Sequence, residues 1–288
     1  SSFAGNKTAQ GNADGNGIGD FYYAPPSGYL ALCSSNLPEL TIGPDQTTQA
    51  DDHFNTVLWT GNGSDGRSIT GVGFDPDFVW IRSRNLATSH LLNDTIRGAN
   101  KSLFSEGNTA ETADNGGGYL SAFVTDGFSV TSGGSGDDAV NDSSDTYVAW
   151  NWLAGTAFSN DASATGVGTV DSAGQVNTTA GFSIVTFTGG AAGYTVAHGL
   201  SQAPEIVFTF NRTDSSGANY VFTTAVDGTI DYFSLDASTA KNNDPFSMPA
   251  FTSTVFTQLM ATQKSVLMKE MEITMARLFT QDSGLLSC

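Results

Sequence analysis

One phrase in this chain occurs twice, and the residues that follow it keep step. Phe54-Asn-Thr-Val-Leu-Trp-Thr-Gly61 aligns with Phe182-Ser-Ile-Val-Thr-Phe-Thr-Gly189, 128 residues further on. Without a gap, Gly71-Val72 then falls on Gly199-Leu200. Pro76-Asp77-Phe78-Val79-Trp80 falls on Pro204-Glu205-Ile206-Val207-Phe208, and Arg84 on Arg212. A constant offset over such a span marks an internal repeat, so whatever one copy folds into the other must also fold into. Beyond it, Gly98 and Thr109-Ala110 match Gly228 and Thr239-Ala240 with a two-residue slip.

Each copy reads as antiparallel β-structure. Phe54 to Thr60 and Phe182 to Thr188 alternate apolar with polar residues, as a half-buried strand does. A Gly-rich turn follows, then a second strand after a proline, at Phe78 to Arg82 and Ile206 to Phe210. Proline suits a strand entrance because its missing N–H is not needed there. The first copy continues through Tyr119 to Phe123 and Gly127 to Val130. It closes on Asp145 to Trp152, where Tyr147, Ala149 and Asn151 alternate with Val148, Trp150 and Trp152. Trp59 and Phe187, and Trp80 and Phe208, are expected as core residues at equivalent positions.

These patterns divide the chain into five parts. Residues 44–157 and 180–258 are the two β-repeat units, expected as sandwich units in tandem, with face-to-face packing as one sandwich the alternative. Residues 158–179, small and polar, read as a linker. Residues 259–288 diverge: Leu267, Met271, Met275 and Leu278 recur at helical spacing, which predicts a short C-terminal helix. An alternative is a frameshift. Leu267-Met-Lys-Glu-Met-Glu-Ile-Thr274, back-translated and read in another frame, can encode Asn-Glu-Gly-Asp-Gly-Asp-Tyr. That is close to Asn141-Asp-Ser-Ser-Asp-Thr-Tyr147, which leads into the closing strand of the first copy. Residues 1–43 form the remaining part, and the chain is expected to begin part-way through a longer polypeptide.

Composition agrees with many short strands joined by turns. Of 288 residues 33 are Gly and only 14% are charged, while 19 Phe, 8 Tyr and 4 Trp supply core material that a disordered chain would lack. The formal net charge is −18 with only 11 basic residues. No basic patch on that scale neutralises a phosphate backbone or an anionic membrane, so neither nucleic acid nor membrane insertion is expected. The self-repulsion is cheap where salt is high. Cys33 and Cys288 stand at opposite ends and form no disulfide framework or zinc pair.

Residues 15–43 resemble the closing strands of a phage-type SPRY domain. The resemblance is carried by Asp20 to Tyr23, Pro25-Pro26-Ser27-Gly28-Tyr29, Leu30 to Cys33 and Asn36-Leu37-Pro38. It implies a jelly-roll-like sandwich whose larger part lies upstream of Ser1. Residues 50–258 resemble a β-rich repeat domain that follows such SPRY domains in virion proteins of marine tailed phages. Here the residues are Gly73-Phe74-x-Pro76 through Arg84, Asp94-Thr-Ile-Arg97-Gly98 and Tyr147-Val-Ala-Trp150. In the second copy they are Gly181 to Val185, His198-Gly199-Leu200 and Ala203-Pro204. The resemblance implies a structural role in a tail fibre or surface appendage that contributes to host attachment. It also implies a virion location, a homo-oligomer (a trimer among the options), and contacts with other virion proteins and with a host glycan or receptor.

No catalytic, cofactor or metal residue is assigned from the sequence, and the chain is expected not to be an enzyme. His53, His90 and His198 have no second ligand at metal spacing. Asp75 and Asp77 flank Pro76 and are the sole candidate for a glycosidase carboxylate pair. The repeat keeps acidity at one of the two positions, as Glu205. Asp14-Gly-Asn16-Gly-Ile-Gly-Asp20 has calcium-like oxygen spacing without the bidentate Glu of an EF-hand, and reads as a turn. Gly15-x-Gly17-x-Gly19 follows no strand, and Gly133 to Asp138 lacks nucleophile-elbow spacing. Asn62 and Asn93 lie in glycosylation sequons. Tyr22, Tyr23, Tyr29, Tyr119 and Tyr220 are candidate sugar-stacking rings, although rings at strand spacing are more often core or subunit-interface residues. Three other functions stay open: a carbohydrate-binding module, a polysaccharide depolymerase spike, and a cellular surface or filament subunit.

Overall fold

The computed structural model describes residues 8–36, 47–113, 117–133, 140–190, 193–213, 215, 218–238, 240–243, 249–258 and 265–269, the last for backbone only. The chain divides into two compact units, 1–41 with 275–288, and 42–274. The second holds all the strands among the described residues, and their ladders are antiparallel.

Its first half contains β1 (Phe54–Thr60), β2 (Arg67–Thr70), β3 (Phe78–Ser83), β4 (Leu91–Asp94), β5 (Leu103–Phe104), β6 (Tyr119–Val124), β7 (Gly127–Thr131) and β8 (Thr146–Trp152). These make a sheet in the order β1-β8-β3-β4-β5 and a smaller one, β2-β7-β6. The second half contains β9 (Thr156–Asn160), a helix of one turn α1 (Ala162–Thr165), β10 (Ser172–Asn177), β11 (Phe182–Phe187), β12 (Tyr194–Ala197) and β13 (Ile206–Phe210). It continues with β14 (Tyr220–Thr223), β15 (Asp231–Ser234), β16 (Asn242–Asn243), β17 (Val255–Gln258) and β18 (Ser265–Lys269). Here the large sheet runs β16-β15-β14-β13-β18-β11-β10-β9, and β12 pairs β17.

The period of two in each strand builds four layers. Val57 and Trp59 of β1, Val79 and Ile81 of β3, and Tyr147 and Ala149 of β8 pack with Ile69, Phe128 and Leu120 of the small sheet. The opposite face of the same sheet carries Phe78, Leu92 and Trp152. It packs on Phe182, Ile184 and Phe210 of the second large sheet. That sheet's other face, with Val185, Phe187 and Val207, packs on Val196 and Phe256 of the β12-β17 pair. The two halves are therefore stacked through an apolar seam, and each residue step along β3 or β11 switches core.

Some positions 128 residues apart can be compared directly. Trp59 is 8% exposed and Phe187 7%, each in the outer core of its half, while Trp80 and Phe208 both pack partly buried against the seam. Phe54 and Phe78 both stand opposite Trp152. Phe182 and Ile206, 128 residues on in each case, both stand opposite Lys269. Gly71 and Gly199 share a positive φ, 92° and 77°, which their turns require and a Cβ would strain.

Three expectations are corrected. Residues 158–179 are no linker: β9, α1 and β10 lie there, and β10 pairs β11 over its whole length. The small residues fit because the backbone approaches closely. A Cβ on Gly174 would lie 1.9 Å from the carbonyl oxygen of Ile184. The helix expected from Leu267 is also overridden at its start. Ser265–Lys269 is a strand seated between β11 and β13, whose inner backbone groups need a partner. The second half thus runs past 258, while Met271, Met275 and Leu278 lie outside the described residues. Thirdly, the strands expected at 20–23 and 30–33 are absent. An Asn12–Phe21 bridge and turns stand there instead, because no described strand of that unit lies alongside to pair. Cys33 is a buried free thiol, and Cys288 lies outside the described residues.

Candidate functional site

The turn before β3 places Asp75 and Asp77 on different tasks. Asp75 Oδ1 accepts the Asp126 N–H at 2.8 Å, and the Asp126 carboxylate in turn accepts the N–H groups of Gly71 and Gly73. Those backbone donors, Gly73 first, hold the Asp126 carboxyl below its ordinary range. Asp77 instead points at the seam. Its Oδ2 accepts from Ala154 N at 2.9 Å and Gly155 N at 2.8 Å, and its Oδ1 from Gln175 Nε2 at 3.0 Å and Thr95 Oγ1 at 3.2 Å. Its acceptor sites are occupied by donors from both halves. A general acid needs a free, protonated carboxyl facing the substrate. Asp77 is committed to the fold.

The histidines are similarly engaged. His198 is fully buried; its Nδ1 accepts from Leu200 N at 3.1 Å and its Nε2 lies 3.0 Å from Thr252 O. Burial pushes its pKa down, against a smaller opposing effect of the Thr252 carbonyl. Asn177 Nδ2 contacts His53 Nδ1 at 2.9 Å across the seam, and His90 lies 3.3 Å from Ser105 Oγ and 3.7 Å from Glu106. Burial lowers the pKa of both. Among the described residues no three His, Cys, Asp or Glu side chains gather to hold a metal.

In the first unit Asp14 Oδ1 accepts from Asn16 N and Ile18 N, and Oδ2 from Ala31 N and Asn36 Nδ2. These donors, the Ala31 amide foremost, hold its carboxyl at about 2. Asp20 accepts the Gly11 N–H, so the two acids of that loop close turns. Tyr22, Tyr23 and Tyr29 are exposed, while Tyr119 and Tyr220 are half-buried. Asn93 is buried and donates to Lys101 O and Ser102 Oγ, leaving no room for a glycan; Asn62 is exposed. Of the Gly133–Asp138 loop only Gly133 is described.

Sequence reasoning missed a buried charge cluster. Arg97 and Asp94, 1% and 2% exposed at the side chain, pair within one turn. Arg97 also donates to Leu92 O and Lys101 O. Glu111 lies 3.5 Å from Arg97 and accepts a bidentate pair from Arg212, at 2.8 and 3.2 Å. Burial alone would raise the Glu111 carboxyl, but the Arg212 hydrogen bonds and the Arg97 charge outweigh it and hold it low. Asn219 adds bonds to Phe104 O and Gly107 O. Segment 104–112 is thereby fastened to the second half. A cleft of about 360 Å3 opens beside Arg212 over β9, β10 and β11, lined also by Ser159, Asp161, Asp171, Thr186 and Thr188. Asp161 caps α1 and Asp171 accepts the Ala162 N–H, each through Oδ1, so the cleft carries hydroxyl groups, two carboxylate edges and one guanidinium edge.

The family described as "Domain of unknown function (DUF7483)" matches residues 49–285. The chain belongs to that family. No curated protein and no solved structure matches it. No helix among the described residues is long and apolar enough to cross a membrane.

Proposed function

We propose that this chain is a structural virion protein of a tailed phage, part of a tail fibre or surface appendage that contributes to host attachment, and that it performs no catalysis. One observation carries the reading: the candidate groups among the described residues are engaged by the fold, and several of them hold the two halves together. Asp77 ties β10 to β3, and Glu111 joins Arg97 to Arg212. A stack of β-layers closed by such bonds makes a stiff, soluble scaffold whose turns are free to meet partners. The sequence resemblance to virion appendages and the strongly acidic balance support the same reading. Duplication of one β-unit is part of it, the second copy ending on the strand at Ser265–Lys269. The test is quantitative mass spectrometry of density-purified particles. Peptides of this chain at a fixed integer ratio to a capsid protein support the proposal; their loss on banding the particles overturns it.

A carbohydrate-binding role is the second reading, favoured by the hydroxyl-lined cleft beside Arg212. Saturable binding of a host-surface glycan that a Ser159→Trp substitution removes would establish it.

A further inference from the structure

Among the outer edges of the two large sheets, that formed by β1 stands apart. β5 and β16 end their sheets with two residues each, and β9 carries no exposed large apolar side chain. β1 is seven residues long, uncharged and free of proline, and no described strand pairs with its outer side. Long flat edges of this kind are normally blunted, because their N–H and C=O groups template further pairing.

The outer edge of β1 is blunted at one group on either side of its centre. Gly61 N donates to Asp145 O, so odd-numbered residues face β8 and even-numbered ones face outward. Of the outward groups, the Thr56 N–H is taken by Asn55 Oδ1 and the Thr60 C=O by Arg67 Nη1. The N–H and C=O of Leu58 between them have no partner among the described residues. The Leu58 side chain is 61% exposed. It begins a row Leu58-Val148-Arg82 across the sheet face, beside the row Thr56-Trp150-Trp80, whose indoles meet at 6.0 Å. These two rows contain no carboxylate.

We propose that β1 is a self-association edge, pairing antiparallel with β1 of a second copy about a two-fold axis at Leu58. This rests on the structural reading above and names its assembly contact. Each Leu58 N–H then donates to the partner's Leu58 C=O, and each Thr60 N–H to the partner's Thr56 C=O. The groups that Asn55 and Arg67 already hold are those such a pair can do without. The five-stranded sheet becomes ten-stranded, with Val148 beside the joint and Trp150 and Arg82, of the residue types enriched in interface anchors, flanking it. A second copy fits better than an unrelated ligand because the edge is self-complementary. In a chain of net charge −18 these carboxylate-free rows let two copies meet with less repulsion than acidic surface would.

The test is sedimentation velocity on the full chain, at about 1 to 100 µM and in low and high salt, with Leu58→Lys and Leu58→Val. The wild type and Leu58→Val should shift to the mass of two chains as concentration rises, more so in high salt. Leu58→Lys should stay at one chain with an unchanged melting temperature. If Leu58→Lys assembles like the wild type, or the assembly has three chains, the β1 edge is wrong while an assembling structural role survives. A wild type that stays at one chain throughout overturns the edge and removes self-assembly from the structural reading too.

Discussion

Asp77 and Gln175 meet across the seam between the two halves, Gln175 Nε2 donating to Asp77 Oδ1 at 3.0 Å. The same carboxylate holds the Ala154 and Gly155 amides and the Thr95 hydroxyl. Asp77→Ala therefore orphans several donors at once. The expected cost is about 2 kcal/mol, seen as a lower urea midpoint with an unchanged slope. A catalytic Asp77 would instead leave stability nearly intact.

Glu111 offers a sharper contrast. Its removal leaves Arg97, 1% exposed at the side chain, with Asp94 and the Leu92 and Lys101 carbonyls, and frees Arg212. Glu111→Ala should cost about 2 kcal/mol, the range for losing hydrogen bonds to a charged group. Unfolding should still appear as a single transition by both tryptophan fluorescence and circular dichroism, because the apolar seam couples the halves. Two separated transitions in the wild type would contradict that coupling.

How much of this could be read from the sequence varies along the chain. The paired strands at Phe54 and Phe182 were legible because alternation and a fixed offset report on both local structure and burial. Trp59 and Phe187 came with them. The β9-β10 hairpin was not, since Ser172, Gly174 and neighbouring small residues carry little hydrophobic signal; Gly174 sits where a Cβ would strike Ile184 O. Nor was the charge cluster, because Asp94, Glu111 and Arg212 become neighbours only where segment 104–112 lies against the second half. At Leu267 the helical period was real but lost to the demand of β11 and β13 for a partner. That is tertiary context overriding local preference.

The seat of that last strand makes a prediction of its own. Residues 265–269 pair with both β11 and β13, as β8 pairs with both β1 and β3. Replacing 265–269 by the β8 sequence Val148–Trp152, in that register, should raise the melting temperature by about 2–4 °C, equivalent to about 1 kcal/mol. A fall would mean that the seat is not equivalent to that of β8.

His198 gives the chain an acid-sensitive element. Burial holds its folded pKa below the ordinary imidazole value of about 6.5. Its contribution is then fully present above about 6.5 and is lost as pH falls toward the folded value, since the unfolded chain takes up the proton first. His198→Gln keeps a donor for Thr252 O and an acceptor for Leu200 N. Between pH 7 and 5 the variant should lose less stability than the wild type, by thermal melts across that range; equal losses would remove His198 as the cause.

The central claim is that this chain is an architectural part of a particle surface. Cryo-electron microscopy of the native particle tests it most directly. The account predicts symmetry-related copies on a tail or capsid appendage, their turns facing outward. A chain found only as a free monomer, releasing reducing ends from a polysaccharide, would contradict it.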